Sequence, residues 1–315
     1  MNISIEEKTY GAIIGYAAGD ALGIGTEFMT RPEIKRRYPE GLIHYSQIIR
    51  DAHRSQWKRG DVSNDSLLAC RLIESMCDND RLDYKDYARR LKEWYLTDPL
   101  DLTANLRWVI SQKDFTDDPM ATSRRIWDAM RVDEAPSDAL GRSIFTGMWD
   151  EDVKRNADDF CRITHPNSRC RVSAQIIATM ANSLMWKDQE ASYEELSAIA
   201  SDNEPEVMRY LEIARYGSLS DFNLDHEASF WYVRKCMGAA LWAIWHLHDP
   251  NEALVAIVNE GGDADGNAGL ATGLMCLKYG FSSLKKEYVD GLVQKDALMD
   301  LAARFTDCLT RNFRK

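Results

Sequence analysis

Oxygen-bearing side chains are concentrated in three short segments of this sequence that also contain glycine, at residues 15–28, 59–66 and 259–273. Carboxylates can act as general acids and bases, and hard oxygen donors bind divalent cations. Because neither Cys nor clustered His accompanies them, the donor set favours Mg²⁺ or Mn²⁺ over Zn²⁺. The side-chain types therefore predict a carboxylate-bound cation or carboxylate acid–base chemistry.

The first segment, GYAAGDALGIGTEF, has the pattern of a helix that ends at glycine. Gly15 and Gly19 cost about 1 kcal/mol each relative to alanine in a helix, so they suit a place where another helix or a ligand approaches closely. Gly23 and Gly25 are expected to end the helix and release Glu27 into a loop. The alternative is that the two carboxylates of the segment, Asp20 and Glu27, lie on the surface.

The second segment, RGDVSNDS, directly precedes an apolar helical pattern. Ser63, Asn64 and Asp65 are each good N-cap residues, and capping alone would explain one or two of them. Three consecutive oxygen-bearing side chains exceed that need. Carboxylates concentrated at a helix N-terminus can recruit a hard cation.

The third segment, NEGGDADGNAGLATG, lies between two apolar stretches and is expected to be a loop between buried helices. Asp263 and Asp265 would diverge on a helix but can converge in a bend, for which Gly261, Gly262 and Gly266 supply backbone freedom. Acidic residues in such a place are costly unless they are paired or bind a metal. Metal binding is the preferred interpretation, and helix capping is the alternative.

Helical periodicity dominates the rest of the chain, and period-two strand patterns are nearly absent, so we expect an all-α fold. Two long stretches, residues 31–64 and 135–173, lack periodicity and are expected to be functional loops. Helices are predicted over residues 10–22, 67–76, 84–95, 102–110, 176–186, 194–200, 237–247, 253–258, 270–279 and 297–313.

Bulk composition is that of an ordinary globular protein, with 45% apolar and 28% charged residues in 315. We expect a single domain over residues 1–315. The net charge of −11 argues against nucleic acid as a partner. No secretory signal is visible, and the longest apolar run, 236–245, is about half of the ~20 residues that span a bilayer. Together with seven scattered cysteines, these features predict a cytoplasmic protein that does not bind membranes.

In this order, the segments resemble the ADP-ribosylglycohydrolase family, which includes the dinitrogenase reductase-activating glycohydrolases. The resemblance runs from about residue 10 to about residue 279. Gly15 to Gly23 match the family motif G-x-x-x-G-D-A-L-G, and Glu27 matches the Glu that follows it. Ser63-Asn64-Asp65 match the Thr-Asp-Asp metal motif. Thr164-His165 match the Thr-His loop, and Gly261 to Asp265 match the terminal G-G-D-x-D motif.

The resemblance implies an all-α orthogonal helical bundle with neighbouring Mg²⁺ or Mn²⁺ ions in a central cleft. It also implies hydrolysis of the bond at C1″ of ADP-ribose attached to a protein side chain or a small molecule. By residue-by-residue transfer, Glu27 and Asp265 become catalytic. The implied metal ligands are Ser63, Asn64, Asp65, Asp263 and Asp265, and the implied ligand-binding residues are Asp20, Arg142, His165 and Tyr232.

Ser63 in place of Thr is a mild departure from the family pattern, and three other departures bear on the chemistry. Asn64 replaces an Asp and removes one anionic ligand, and Gly266 replaces a Thr and removes a hydroxyl. Asp138 stands in the segment that corresponds to the phosphate loop, where it would repel a phosphate. These changes favour one cation over two, unless a carboxylate such as Asp61 compensates. They leave open a catalytically silent ADP-ribose-binding protein, or a nucleotide or nucleoside hydrolase on the same scaffold.

Overall fold

The structure, a computed structural model, describes residues 3–131, 135–200 and 204–313. Within these ranges the chain forms sixteen α-helices, several 3-10 turns and no β-strand. The predicted all-α class is therefore confirmed. In chain order the helices are α1 (Ile5–Gly23), α2 (Arg31–Arg37), α3 (Asn64–Asn79), α4 (Tyr84–Tyr95), α5 (Ala104–Ile110), α6 (Pro119–Met130), α7 (Gly141–Met148), α8 (Val153–Arg162), α9 (Ser168–Lys187), α10 (Tyr193–Ala200), α11 (Pro205–Tyr216), α12 (Val233–His246), α13 (Pro250–Val258), α14 (Ala264–Tyr279), α15 (Lys286–Asp290) and α16 (Lys295–Phe313).

Local sequence explains where many of these helices begin. The side chains of Ser4, Asp83 and Asn167 accept hydrogen bonds from main-chain N–H groups in the first turns of α1, α4 and α9. These bonds satisfy donors that have no partner within the helix. Proline stands in the first turn of α2, α6, α11 and α13, where its missing N–H costs nothing.

The centre of the fold is the crossing of α1 and α14, whose main chains are in direct contact. A Cβ atom on Gly15 would stand 2.9 Å from the carbonyl oxygen of Thr272, and one on Gly19 would stand 2.6 Å from the main-chain nitrogen of Gly269. Any side chain at these positions would push the helices apart. The close approach predicted at Gly15 and Gly19 is thus confirmed, and the approaching group is a helix.

The other helices surround this pair. Buried apolar side chains spread along the chain between Ala12 and Leu309 pack together in one cluster. Helices α12 and α13 pack on α14, α16 packs on α1 and α3, and α7 and α8 pack on α9. In the part of the chain that the structure describes, no helix combines the length and apolar character needed to cross a bilayer.

Each of the ten helices predicted from periodicity overlaps an observed one. The expectation of a long loop holds for residues 38–63, which contain only two short 3-10 turns, but was wrong for most of residues 135–173. Helix α2 lies within residues 31–64, and α7, α8 and the first turn of α9 lie within residues 135–173. Helix α7 has only eight residues, and all of them are buried, including the polar Arg142, Ser143 and Thr146, so its polar positions do not mark a solvent-facing side. Helices α6, α11 and α15 were also not predicted.

Candidate active site

A cavity of about 430 Å³ opens where the N-termini of α3 and α14 meet the turn after α1 and the segment before α7. Its volume lies in the range of small-ligand sites. Among the described residues, six carboxylates line it, namely Glu27, Asp65, Asp101, Asp138, Asp263 and Asp265. The remaining lining residues are Phe28, Asn64, Thr103, Ala104, Asn105, Trp108, Arg131, Pro136, Ser137 and Trp231.

The N-terminus of α14 contributes two of these carboxylates. Asp263 is the N-cap residue and Asp265 lies in the first turn, so the expectation that both stand in a loop was wrong for Asp265. Only Gly261 and Gly262 form the bend, with φ of 75° and 69°. The Asp263 carboxylate accepts a hydrogen bond from the Ser137 hydroxyl.

One oxygen of Asp265 has no partner. Its Oδ1 atom is buried, and nothing in the described ranges donates a hydrogen bond to it. A buried polar atom left in this state is costly unless a ligand or an ion satisfies it. This atom is the strongest local sign that the cavity is built to hold something.

The N-terminus of α3 contributes the opposite wall. The Ser63 hydroxyl accepts a hydrogen bond from the main-chain N–H of Asp65 at 3.2 Å, as an N-cap does. The Asn64 amide donates to the main-chain oxygen of Asp101. A Cβ atom on Gly266 would stand 2.8 Å from Asp65 Oδ2 and 3.0 Å from Asp263 Oδ2. The fold therefore brings the second and third segments together across Gly266.

Asp20 lies behind this wall rather than in the cavity lining. Its buried carboxylate accepts hydrogen bonds from the main-chain N–H groups of Ser63 (3.0 Å) and Ser66 (3.1 Å), and from the Ser66 hydroxyl. Burial raises the pKa of Asp20 to about 6, although these hydrogen bonds oppose the rise. In this structure Asp20 anchors the start of α3, and its contact with a ligand stays a prediction.

Glu27 occupies the turn that follows α1, as the glycine pattern predicted. The next residue, Phe28, has φ of 58°, a conformation that is costly for a bulky side chain. Two main-chain hydrogen bonds hold the turn against the α14 bend, from Phe28 N to Gly262 O at 2.7 Å and from Gly262 N to Met29 O at 3.0 Å. The position of the Glu27 carboxylate is thereby fixed relative to α14.

His165 and Arg142 form a buried network behind the cavity, which Asp138 joins from the lining. His165 Nε2 lies 2.7 Å from Asp138 Oδ1, and the Thr103 hydroxyl donates to Asp138 at 2.8 Å. Arg142 Nη2 lies 3.3 Å from His165 Nδ1 and donates to the Thr164 hydroxyl. Burial opposes ionisation of Asp138, but the His165 ring and the hydrogen bonds hold its pKa below the usual value.

This network changes how two predictions are understood. Asp138 was expected to act as a free charge that repels phosphate, but it is paired with His165. His165 and Arg142 are 0% and 3% exposed, so neither reaches the cavity surface in this structure. Their contact with a ligand stays a prediction, and what the structure shows is that they support the wall that carries Ser137 and Asp138.

Aromatic side chains surround the mouth of the cavity. Phe28, Trp108 and Trp231 line it and remain partly exposed. Tyr232, the predicted aromatic, is the N-cap of α12, and its ring lies 4.5 Å from the guanidinium of Arg234, outside the lining. The residue before it in the sequence, Trp231, lines the cavity, and contact of Tyr232 with a ligand stays a prediction.

Sequence reasoning also missed Asp101 and Trp108 as lining residues. Asp61, the suggested compensating carboxylate, accepts hydrogen bonds from Lys58 and Gln294 and is not among the lining residues. The acidic residue that the fold brings beside Asn64 is Asp101, which accepts the Asn64 amide N–H at its main-chain oxygen and also lines the cavity. No local pattern marks Asp101, because it stands between helices.

The electrostatics of the lining favour neutralisation by a cation. Burial raises the pKa values of Glu27, Asp65 and Asp265 well above normal and that of Asp263 to about 7, and neighbouring carboxylates add to each rise. A divalent ion would relieve this repulsion, and the all-oxygen donor set suits a hard one. In the described ranges, however, no three Asp, Glu, His or Cys side chains are already arranged around a common metal position.

The fold and the site define a helical protein with an acidic ligand cavity at converging helix N-termini. Residues 1–314 match the sequence profile of the ADP-ribosylglycohydrolase family, so the chain belongs to that family. The predicted resemblance is therefore confirmed.

Similar proteins support the assignment. The ADP-ribosylarginine hydrolase Tri1 of Serratia proteamaculans is 25% identical over 311 residues, which cover 94% of this chain and 78% of that protein. The ADP-ribosyl-[dinitrogen reductase] glycohydrolase of Rhodospirillum rubrum is 25% identical over 95% of this chain and 98% of its own length. A solved structure described as an ADP-ribosylglycohydrolase-related protein complex shares the fold, with a TM-score of 0.75, 24% identity and coverage of 97% of this chain and 99% of that one.

Proposed function

We propose that this protein is a metal-dependent hydrolase that cleaves the C1″ glycosidic bond of ADP-ribose attached to a protein side chain or a small molecule. The observation that carries the proposal is the acidic cavity, in which the buried Oδ1 of Asp265 lacks a partner within the described ranges. Family membership supports the reaction class. Relatives named for hydrolysis of ADP-ribosylated arginine and dinitrogen reductase support a modified side chain as substrate.

The cation would be one Mg²⁺ or Mn²⁺ ion held between Asp65, Asp263 and Asp265, with Ser63 and Asn64 at the edge of the site. When bound, such an ion polarises hydroxyl groups and water and compensates negative charge. A single ion fits better than two because Asn64 is neutral and Gly266 offers no side-chain oxygen.

The chain's own groups supply the rest of the chemistry. Glu27 would act as the general base that accepts a proton from the attacking water. Cleavage at C1″ develops positive charge on the sugar ring, which nearby carboxylates stabilise. Asp20 holds the start of α3, and the contact between Asp138 and His165 holds the segment before α7. These contacts keep the carboxylates of the cavity lining in place.

The linkage we propose is the one to arginine. A guanidinium group carries positive charge, and the described residues of the cavity lining include six carboxylates and one arginine, Arg131. Electrostatic complementarity of this kind raises both encounter rate and specificity. The partly exposed rings of Trp108 and Trp231 at the mouth suit a planar group of the ligand.

The proposal is tested by release of ADP-ribose from arginine-, serine- and acetyl-linked substrates with and without Mn²⁺ or Mg²⁺. We expect metal-dependent release from the arginine-linked substrate and none from the Asp265→Asn variant. Absence of release from all three substrates, with metal supplied, would contradict the proposed reaction.

A second candidate function is binding of ADP-ribose without turnover. Two observations favour it: Asn64 directs its amide N–H to the main chain of Asp101, and no three acidic or metal-ligating side chains in the described ranges converge on a metal position. Calorimetry with ADP-ribose separates the two functions. Tight binding by a protein that releases no product from any linkage would support the binding protein.

A further inference from the structure

The Glu27 carboxylate is buried and depends on a residue outside the three acidic segments. Its Oε2 atom lies 2.7 Å from Nε2 of His53, and within the described ranges no other side chain makes a hydrogen bond to this carboxylate. The Glu27 side chain is only 5% exposed, whereas that of His53 is 28% exposed. His53 therefore connects the buried carboxylate to solvent.

The position of His53 is determined by its neighbours. The next residue, Arg54, donates hydrogen bonds to the main-chain oxygens of Gly25 (2.8 Å) and Glu27, and pairs with Asp51 at 2.8 Å. These bonds join the His53 segment to the turn that carries Glu27. The ring centroid of His53 also lies 5.4 Å from that of Phe28 and 5.1 Å from that of Trp57.

The surroundings of the pair bring the pKa values of Glu27 and His53 closer to each other. Burial raises the pKa of Glu27, the carboxylates of Asp265, Asp101 and Asp263 raise it further, and Arg54 opposes the rise. Burial and the Arg54 charge lower the pKa of His53, against the opposing charge of Asp51. A carboxyl group made less acidic and an imidazole made less basic exchange a proton readily in either direction.

We infer that His53 positions Glu27 and carries the proton of Glu27 to solvent during the hydrolysis. The inference rests on the proposed function. The water oxygen bonds to C1″ as the bond from C1″ to the leaving nitrogen breaks, one water proton goes to Glu27, and the leaving nitrogen takes a proton from solvent. Glu27 then gives its proton to Nε2 of the His53 tautomer whose own proton is on Nδ1, and Nδ1, which has no hydrogen-bond partner in the described part of the chain, releases that proton to solvent. A flip of the partly exposed ring then returns an unprotonated nitrogen to Glu27 and closes the cycle.

Two substitutions separate positioning from proton transfer. His53→Gln keeps a hydrogen-bonding group beside Glu27 but cannot relay a proton, and His53→Ala removes both properties. His44→Gln is the control, because His44 lies half-exposed beside Glu287 at 3.6 Å, outside the cavity lining. The assay is steady-state release of ADP-ribose from arginine-linked substrate by the Mn²⁺-loaded full chain, over roughly pH 5.5–9, which spans the ordinary pKa of histidine.

We expect His53→Gln to lower kcat about 100-fold with little change in KM, as loss of an acid–base group does. Free imidazole should restore turnover of His53→Ala in proportion to its concentration, and His44→Gln should behave as the parent protein. An unchanged kcat in His53→Gln, or a loss that imidazole does not restore, would overturn the relay. The parent protein is assayed first. If it shows no turnover, the proposed function is contradicted, and the relay with it, before any variant is compared.

The contact itself has a readout that needs neither metal nor substrate. The chain has six histidines, so imidazole ¹⁵N resonances can be assigned one by one, with His53 identified by its loss in His53→Gln. In the metal-free protein, Glu27→Gln should shift the Nε2 resonance of His53 and leave that of His44 in place. An unmoved His53 resonance would show that the pair is not formed in solution.

Discussion

Gly23, the last residue of α1, lies against the main chain of Asp265 in the first turn of α14. A Cβ atom at residue 23 would stand 2.5 Å from the main-chain nitrogen of Asp265. The first turn of α14, which carries the Asp265 carboxylate, can come this close to α1 only because residue 23 has no side chain. The same crossing that builds the core also determines the geometry of the candidate site.

Gly23→Ala should therefore lower stability and disturb the site together. Overpacking of this kind costs about 1–3 kcal/mol, which urea unfolding measures. Gly269→Ala is the matched control in the same helix crossing, because the nearest atoms to its Cβ would be 3.3 Å away. It should change the free energy of unfolding by less than about 1 kcal/mol. Equal losses in both variants would contradict the assigned role of Gly23.

Asp265→Asn should abolish Mn²⁺ binding measured by calorimetry. The substitution removes a negative charge from the centre of the proposed site. It puts a neutral amide in place of the carboxylate whose Oδ1 atom would bind the cation. Asp61→Asn, which lies outside the lining, should bind Mn²⁺ like the parent protein. If Asp265→Asn retains the parental affinity, the proposed cation does not lie at this carboxylate.

The metal-free protein should lose stability as the pH rises from about 4 to about 7. Burial raises the pKa of Asp20 from 3.8 to about 6 and that of Asp263 from 3.8 to about 7, so the folded state holds protons that the unfolded state has released. For these groups the stabilisation is fully present below about pH 4 and is lost as the pH passes about 6 to 7. Chemical unfolding across this range measures the slope.

The matched variant for this pH effect is Asp263→Asn, which should show a shallower slope because one titrating group is gone. Addition of Mn²⁺ at about pH 7.5 should recover stability in the parent protein and less in the variant. A stability that rises steadily between about pH 4 and about pH 7 in the metal-free parent would contradict the assigned pKa directions.

Asp138→Ala should be strongly destabilising. It leaves the wholly buried His165 ring without its 2.7 Å partner, and removal of one member of a buried pair costs about 3–5 kcal/mol. Asp114→Ala is the comparison on the surface, where Asp114 pairs with Arg125 and both are about half exposed. That change should cost no more than about 1 kcal/mol. Thermal or urea unfolding distinguishes the two, and similar small losses would show that Asp138 is not a structural group.

Trp231→Ala should weaken ADP-ribose binding without changing the affinity for Mn²⁺. Loss of one aromatic contact is worth about 0.5–1.5 kcal/mol, or roughly 2- to 13-fold in the dissociation constant. Trp245→Ala is a suitable control, because that ring lies outside the cavity beside Arg215. Calorimetry with ADP-ribose and with Mn²⁺ checks both expectations, and an unchanged ligand affinity would remove Trp231 from the binding surface.

Much of the fold was accessible from local patterns. Amphipathic helices such as α4 and α16 are recognisable because one face is apolar and the other is polar. Helix α7 was not recognised, because it has only eight residues and its polar side chains Arg142, Ser143 and Thr146 are buried with the apolar ones. The acidic segments at α3 and α14 could also be recognised, because each places more oxygen-bearing side chains beside an apolar helix than capping requires.

The sequence by itself determined the helical class, the family resemblance and the segments around Asp65 and Asp263, all of which depend on residues near one another in the chain. Only the tertiary structure decided that Asp20 anchors α3, that Asp138 pairs with His165, and that Asp101 and His53 join the site. The physical reason is that periodicity and capping record the environment of one helix. Which loop meets which helix depends on contacts between residues far apart in the chain, such as the packing of small residues where α1 crosses α14.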